Sequence, residues 1–192
     1  MIRFIAGSAR GRRILSVPKD SGVRPISARI RQSLFDILRP RLPSARFLDL
    51  YAGTGTVGLE ALSRGAESVV FVEKDKKVLA VIEKNILRMG WQGRGKAFHA
   101  NVLAPLTWIP YRSGVSVFDL IFMGPPYVDK DKNELSLCTP TLANVASANL
   151  LSPTGWIISQ HHQNEEPKAP SGYAIFRCER YGDSRMTFLH RA

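Results

Sequence analysis

Twelve residues, Phe47-Leu48-Asp49-Leu50-Tyr51-Ala52-Gly53-Thr54-Gly55-Thr56-Val57-Gly58, carry three glycines spaced G-x-G-x-x-G directly after an apolar run. That spacing lets a backbone turn approach a ligand closely and aims helix N-terminal amides at an anionic group. Alone it is a weak signal, because a ligand-free strand-to-helix connection, with Asp49 bonding only backbone amides, has the same outline. Two acids sharpen it. Asp49 lies four residues before the first glycine, and Glu73 twenty after it, where an acceptor for a ribose hydroxyl pair belongs. Asp49 also separates two cofactor classes. A dinucleotide brings pyrophosphate to the turn, which a carboxylate opposes, whereas S-adenosylmethionine brings an ammonium and a sulfonium, which it favours. The methyl donor is the better match, with Asn101, after a third strand, as a candidate contact for the adenine.

A second constellation is Phe118-Asp119-Leu120-Ile121-Phe122-Met123-Gly124-Pro125-Pro126-Tyr127, an apolar strand ending in a Pro-Pro-aromatic corner. Consecutive prolines fix φ and hold the preceding residues extended, so the corner's carbonyls point in set directions with no N–H competing. Such carbonyls can grip an exocyclic amine, and Tyr127 can stack on an extruded base. A rigid stop with a packed tyrosine is the structural alternative. His161-His162 alternate across a strand and have no further ligand at a suitable spacing, so no metal site is expected. Cys138 lacks a basic partner and reads as apolar filler.

The elements that must position these residues follow from periodicity. Ile2, Phe4, Ile14 and Val17 suggest two short strands around Gly-Ser-Ala-Arg-Gly, and Ser27 can cap a helix through about Arg39, leaving Arg29, Arg31 and Arg39 off its apolar face. Short β-rich runs at 47–51, 68–73, 96–100, 118–123 and 155–160 alternate with helical or loop stretches, the pattern of βαβ units on a parallel sheet. The clearest helix spans about 76–89, with Gly90 after it. Runs at 173–181 and 185–190 flank Gly182-Asp183-Ser184, so the sheet, seven strands in all, finishes with an antiparallel hairpin. Residues 163–171 read as a surface loop.

The 192 residues suit one domain of ordinary globular composition. No apolar run approaches the ~18 residues that span a bilayer. An Arg-rich transit peptide at residues 1–19 is disfavoured by Gly7, Gly11 and Pro18. Two cysteines with no metal spacing fit a reducing cytoplasm. The net charge of +11 favours a polyanionic partner and is concentrated: residues 1–46 hold 11 basic and 2 acidic side chains, net +9, against +2 for residues 47–192. This divides the chain into a basic, polyanion-contacting extension at 1–46 and a catalytic domain at 47–192.

Nearly end to end, the chain resembles the RsmD-type bacterial methyltransferases that act on a guanine N2 amine of small-subunit ribosomal RNA. The resemblance rests on Ile5-Ala6-Gly7-Ser8-Ala9-Arg10-Gly11-Arg12, Val23-Arg24-Pro25, Leu48 to Gly58 with Leu59-Glu60-Ala61-Leu62-Ser63-Arg64-Gly65, Val72-Glu73-Lys74-Asp75 and Tyr181-Gly182-Asp183. It implies a class I, Rossmann-like methyltransferase sandwich and S-adenosylmethionine at Asp49, Gly53, Gly55 and Glu73, with Tyr51, Ala52, Thr54 and Lys74 completing the contact. It also implies a basic extension, with Arg10, Arg12, Arg13 and Arg24, that holds RNA. The partner is expected to be ribosomal RNA within a subunit or assembly intermediate, met by a cytoplasmic monomer. Catalysis is expected at Gly124, Pro125, Pro126 and Tyr127. Gly124 departs from the Asp or Asn usual in that family and removes a side-chain acceptor; Asp129 is near in sequence but reads more readily as a solvated loop acid than as a substitute. Two other readings stay open: an adenine-N6 DNA methyltransferase, and an RNA- or ribosome-binding protein that has lost turnover.

Overall fold

The computed structural model describes residues 2–17, 25–129 and 131–192, in two compact units, Met1–Asn101 and Val102–Ala192. In the first, β1 (Ile2–Arg3) and β2 (Arg13–Ile14) form an antiparallel hairpin, followed by α1 (Ala28–Leu38), β3 (Arg46–Leu50), α2 (Thr56–Ser63), β4 (Ser68–Glu73), α3 (Lys76–Met89) and β5 (Gly95–His99). The strands lie β5-β4-β3, all parallel. Val69, Val70, Phe71 and Val72 are buried in succession, as expected of a strand covered on both faces. Local chemistry sets the helix ends. Ser27 accepts from Ile30 N at the start of α1, Asp75 accepts from Lys77 N and Val78 N at the start of α3, and Gly90 ends α3 at φ +70°.

The second unit contains α4 (Ile109–Ser113), β6 (Phe118–Met123), α5 (Cys138–Ser147), β7 (Leu151–His162), β8 (Tyr173–Tyr181) and β9 (Ser184–Arg191). Its strands lie β6-β7-β9-β8, with β6 and β7 parallel and β9 antiparallel to both neighbours. The seven strands thus make the mostly parallel sheet with a terminal antiparallel hairpin expected from the sequence. No helix among the described residues is long and apolar enough to cross a membrane.

Three details differ from the sequence reading. β7 begins at Leu151, four residues early, and its register against β6 shifts between Phe118 and Leu120. Pro153 falls in this irregular stretch, where its missing N–H is tolerated. Residues 163–171 form no strand or helix, but they are not simply a surface loop: Glu165 is buried and accepts from Cys138 N at 2.7 Å, at the start of α5. Arg31 does not lie free on α1. It is 2% exposed, and its Nη2 donates to Arg3 O at 2.6 Å.

All eight residues of α2 are buried, although Glu60 and Ser63 would suit a wet face. The reason is the N-terminal segment, which lies over them. Glu60 accepts from Ile5 N and Ala6 N, both at 2.9 Å, and pairs with Arg64 Nε at 2.8 Å. Ser63 Oγ donates to Ala6 O and accepts from Ala9 N, while Ser63 O accepts from Ser8 N at 2.7 Å. Further along, the Asn85 amide makes a two-way pair with the Leu15 backbone, and Phe4 sits edge-on to Trp91. Gly7 is required at the closest approach. Its φ is +81°, and a Cβ there would fall 1.9 Å from Ser63 O.

Candidate functional site

In the first unit, β3 and β4 end beside one another and the glycine turn leaves β3 there. Tyr51 (φ +58°), Gly53 (φ +52°) and Gly55 (φ +70°) all adopt the left-handed conformation, which is uncommon for a tyrosine. The turn is closed by Gly55 N donating to Ala52 O at 2.7 Å and anchored to β4 by Ala52 N donating to Val72 O. Thr54 is buried, its Oγ1 3.3 Å from Thr56 Oγ1.

The three glycines have different duties. Gly53 and Gly55 supply positive φ, and a Cβ on Gly55 would also come within 3.0 Å of Ile82 Cγ1. Gly58 serves packing: a Cβ there would fall 2.3 Å from Phe71 Cε1 and 2.8 Å from Val69 Cγ1, so only glycine lets α2 lie this close to β4.

Both predicted acids flank this turn. Glu73 Oε2 accepts from Gly53 N at 2.8 Å, and Oε1 accepts from Lys74 N and Asp75 N at 2.8 and 2.9 Å. It therefore shapes the turn while leaving one acceptor site, on Oε2, for a ligand hydroxyl. Asp49 is 2% exposed, and its Oδ2 accepts from Gly58 N at 2.9 Å. Burial pushes its carboxyl up to about 8; the Gly58 N–H opposes the rise and Glu73 adds to it. A buried acid held this far above its ordinary range gains from a cation placed beside it. The amides of the turn, the two carboxylates and the glycine cradle thus suit a ligand with a positive group and a hydroxyl.

Lys74 is exposed, with its carbonyl 2.8 Å from His99 Nε2. Asn101 is exposed just beyond β5. Arg10, Arg12 and Arg13 are exposed in and after the β1–β2 connection, where Arg12 Nη2 donates to Arg88 O. Arg24 lies outside the described residues.

In the second unit, β6 delivers Gly124-Pro125-Pro126-Tyr127. Pro125 is buried, Pro126 exposed, and Tyr127 half-buried with its ring 5.8 Å from that of His162. The tyrosine is clamped at its hydroxyl, which accepts from Gln160 Nε2 and lies 3.0 Å from Ser184 Oγ. Asp129 turns into its own loop, bonding Asp131 N, Asn133 N and Asn133 Nδ2; these bonds hold its carboxyl below the usual carboxylate range. His161 is buried, with its Nε2 2.9 Å from Thr187 Oγ1.

Sequence reasoning missed the anchors Glu60, Ser63 and Asn85 and the clamp Gln160 and Ser184. Nothing periodic marks them; only the motif around Glu60 and Ser63 hinted at a duty.

The family described as conserved hypothetical protein 95 matches residues 2–190. Ribosomal RNA small subunit methyltransferase D of Escherichia coli is 31% identical over 183 residues, covering 92% of this chain and 83% of that protein. The Haemophilus influenzae protein of the same name is 29% identical over 178 residues, covering 92% and 86%. Among solved structures, yhhF from Escherichia coli superposes with a TM-score of 0.80 at 28% identity, over 99% of this chain and 97% of that one.

Proposed function

We propose that this chain, which belongs to the conserved hypothetical protein 95 family shared with ribosomal RNA small subunit methyltransferase D, methylates the exocyclic N2 amine of a guanine in small-subunit ribosomal RNA. The fold is the class I methyltransferase sandwich and the cofactor is S-adenosylmethionine, which supplies a methyl group already activated on a sulfonium. The observation that carries the reading is Asp49: a buried acid, raised to about 8, at the root of a positive-φ glycine turn. Its bond to Gly58 N ties β3 to α2, and a carboxyl held this high has in addition much to gain from a cationic ligand.

Each residue then has a role. Asp49 faces the donor's positive end, Gly53 to Gly55 let its main body lie against backbone, and Glu73 accepts from a ribose hydroxyl. Tyr51, Ala52, Thr54 and Lys74 complete the walls, and Asn101 meets the adenine. The Gly124 and Pro125 carbonyls face the target amine and Tyr127 stacks on the base. Placement supplies most of the rate, because the leaving group needs no acid. Arg10, Arg12, Arg13 and Arg24, in the basic extension at 1–46, hold RNA phosphates, and the substrate is a subunit or assembly intermediate met by a monomer in the cytoplasm.

The test is labelled methyl transfer from S-adenosylmethionine to small ribosomal subunits lacking the modification, followed by nucleoside analysis. N2-methylguanosine is expected. Label in adenosine, or none with donor and RNA both bound, sinks the reading.

A further inference from the structure

We infer that Gln160, on β7, supplies through its side-chain carbonyl the hydrogen-bond acceptor that Gly124 cannot. This inference rests on the methyltransferase reading above and extends it to a residue that acts on the target amine.

The placement follows from register. β6 and β7 run parallel with Met123 opposite Ser159, so the residues that follow, Gly124 and Gln160, sit side by side where β6 gives way to its proline corner. Gln160 is half-buried, and its amide has two ends with different duties. Nε2 donates to Tyr127 Oη at 3.0 Å. The Tyr127 hydroxyl also meets Ser184 Oγ at 3.0 Å, where either oxygen can donate. In this arrangement the amide turns Nε2 toward the tyrosine. Its other end, Oε1, lies 4.0 Å from where a Cβ on Gly124 would stand, and it has no hydrogen-bond partner among the described residues. An acceptor is therefore delivered from the neighbouring strand into the space a side chain at position 124 would occupy. Gly124 itself has a backbone conformation open to any residue, so positive φ does not explain the glycine.

The chemistry needs that oxygen. The lone pair of a guanine N2 amine is delocalised into the ring, and an acceptor drawing on one N–H localises it on nitrogen as the transition state forms. In the step, that lone pair forms the new N–CH3 bond while the sulfonium C–S bond breaks, its electron pair staying on sulfur as a thioether. Positive charge builds on nitrogen and is spread through the N–H bonded to Gln160 Oε1. One N–H proton then passes to water, because an amide oxygen is too weak a base to keep it. Gln160 is thus an electrostatic acceptor and not a general base.

The experiment is single-turnover methyl transfer to small subunits by the full chain, with donor and RNA affinities measured alongside. Gln160→Met keeps length and removes both polar ends; the rate is expected to fall at least tenfold with little change in donor or RNA affinity. Gly124→Asp in that background restores an acceptor from the other strand and is expected to recover most of the loss. In the wild-type background the same change sets a carboxylate against Gln160 Oε1 and brings no gain. Gln160→Glu, which keeps an acceptor and lets Tyr127 donate to it, stays within a few-fold of wild type. A Gln160→Met protein as fast as wild type overturns the inference. So does a loss that Gly124→Asp fails to rescue, since that assigns Gln160 to holding Tyr127 alone. A wild-type protein that binds the donor and transfers no methyl to the subunits overturns the methyltransferase reading itself, before any variant is compared.

Discussion

At the scale of single residues, Asp49 makes the most distinctive demand on experiment. Its carboxyl, at about 8 in the ligand-free protein, is mostly protonated at pH 7, and a cationic ligand beside it must expel that proton. Affinity for S-adenosylmethionine is therefore expected to rise by up to about tenfold per unit between pH 6 and 8, then level off. Calorimetry at pH 7 in two buffers of different ionisation enthalpy should register nearly one proton released. Stability runs the opposite way. An acid whose folded pKa is raised stabilises the fold below its unfolded value near 4, and that contribution is lost as pH climbs through 8. Asp49→Asn should consequently weaken donor binding at least tenfold while raising the melting temperature at pH 9. The gain should be about 1 kcal/mol or more, ~2–4 °C per kcal/mol for a chain of this size. A variant that melts lower at pH 9 would contradict the electrostatic account. Asp49, Glu73 and the glycines could be picked out from the sequence because their spacing is local. The work of Glu73 could not, since holding the Gly53 amide depends on β3 and β4 lying in register.

Among the elements, α2 shows why a helix can be read correctly and still be misunderstood. Its glycine turn announces it, but its polar residues suggest solvent where the structure puts residues 5–9. Hydrogen bonds between residues 54 to 70 positions apart leave no periodic trace. The two motifs around Gly7 and Glu60 prove to be the two halves of one contact. Glu60→Ala should then cost about 3 kcal/mol in urea denaturation, because it strands the Arg64 guanidinium and two backbone N–H groups, and it should expose residues 2–17 to protease before the rest unfolds. Gly58→Ala tests the other side of α2. With Phe71 2.3 Å from the new methyl, a loss of about 1–3 kcal/mol is expected, with the affinity of the surviving folded protein for the donor little altered. The helix α3 offers the contrast: its extent was legible, because its apolar face repeats locally and Gly90 ends it, and the structure adds Asp75 as the cap at its start.

For the whole molecule, charge is the property that sequence conveys best, since it is a sum and needs no geometry. Geometry nevertheless sorts the basic residues. Arg31 is spent inside the fold, whereas Arg10, Arg12 and Arg13 remain exposed. Replacing those three with alanine should weaken RNA binding and flatten the logarithmic salt dependence by about 0.7–0.9 for each phosphate no longer neutralised, whereas Arg31→Met should leave the slope unchanged. Equal slopes for the triple variant and the wild type would place the RNA surface elsewhere. The docking of residues 2–17 also imposes an order on biosynthesis. Ile5 waits for Glu60, and Leu15 for Asn85, at separations of 55 and 70 residues. At ribosomal speeds of about 5–20 residues per second, that is an interval of roughly 3–14 s. Throughout it the arginine-rich segment is already outside the peptidyl transferase centre with its native partners unmade, so the first half of this chain cannot complete its fold until α3 has been translated.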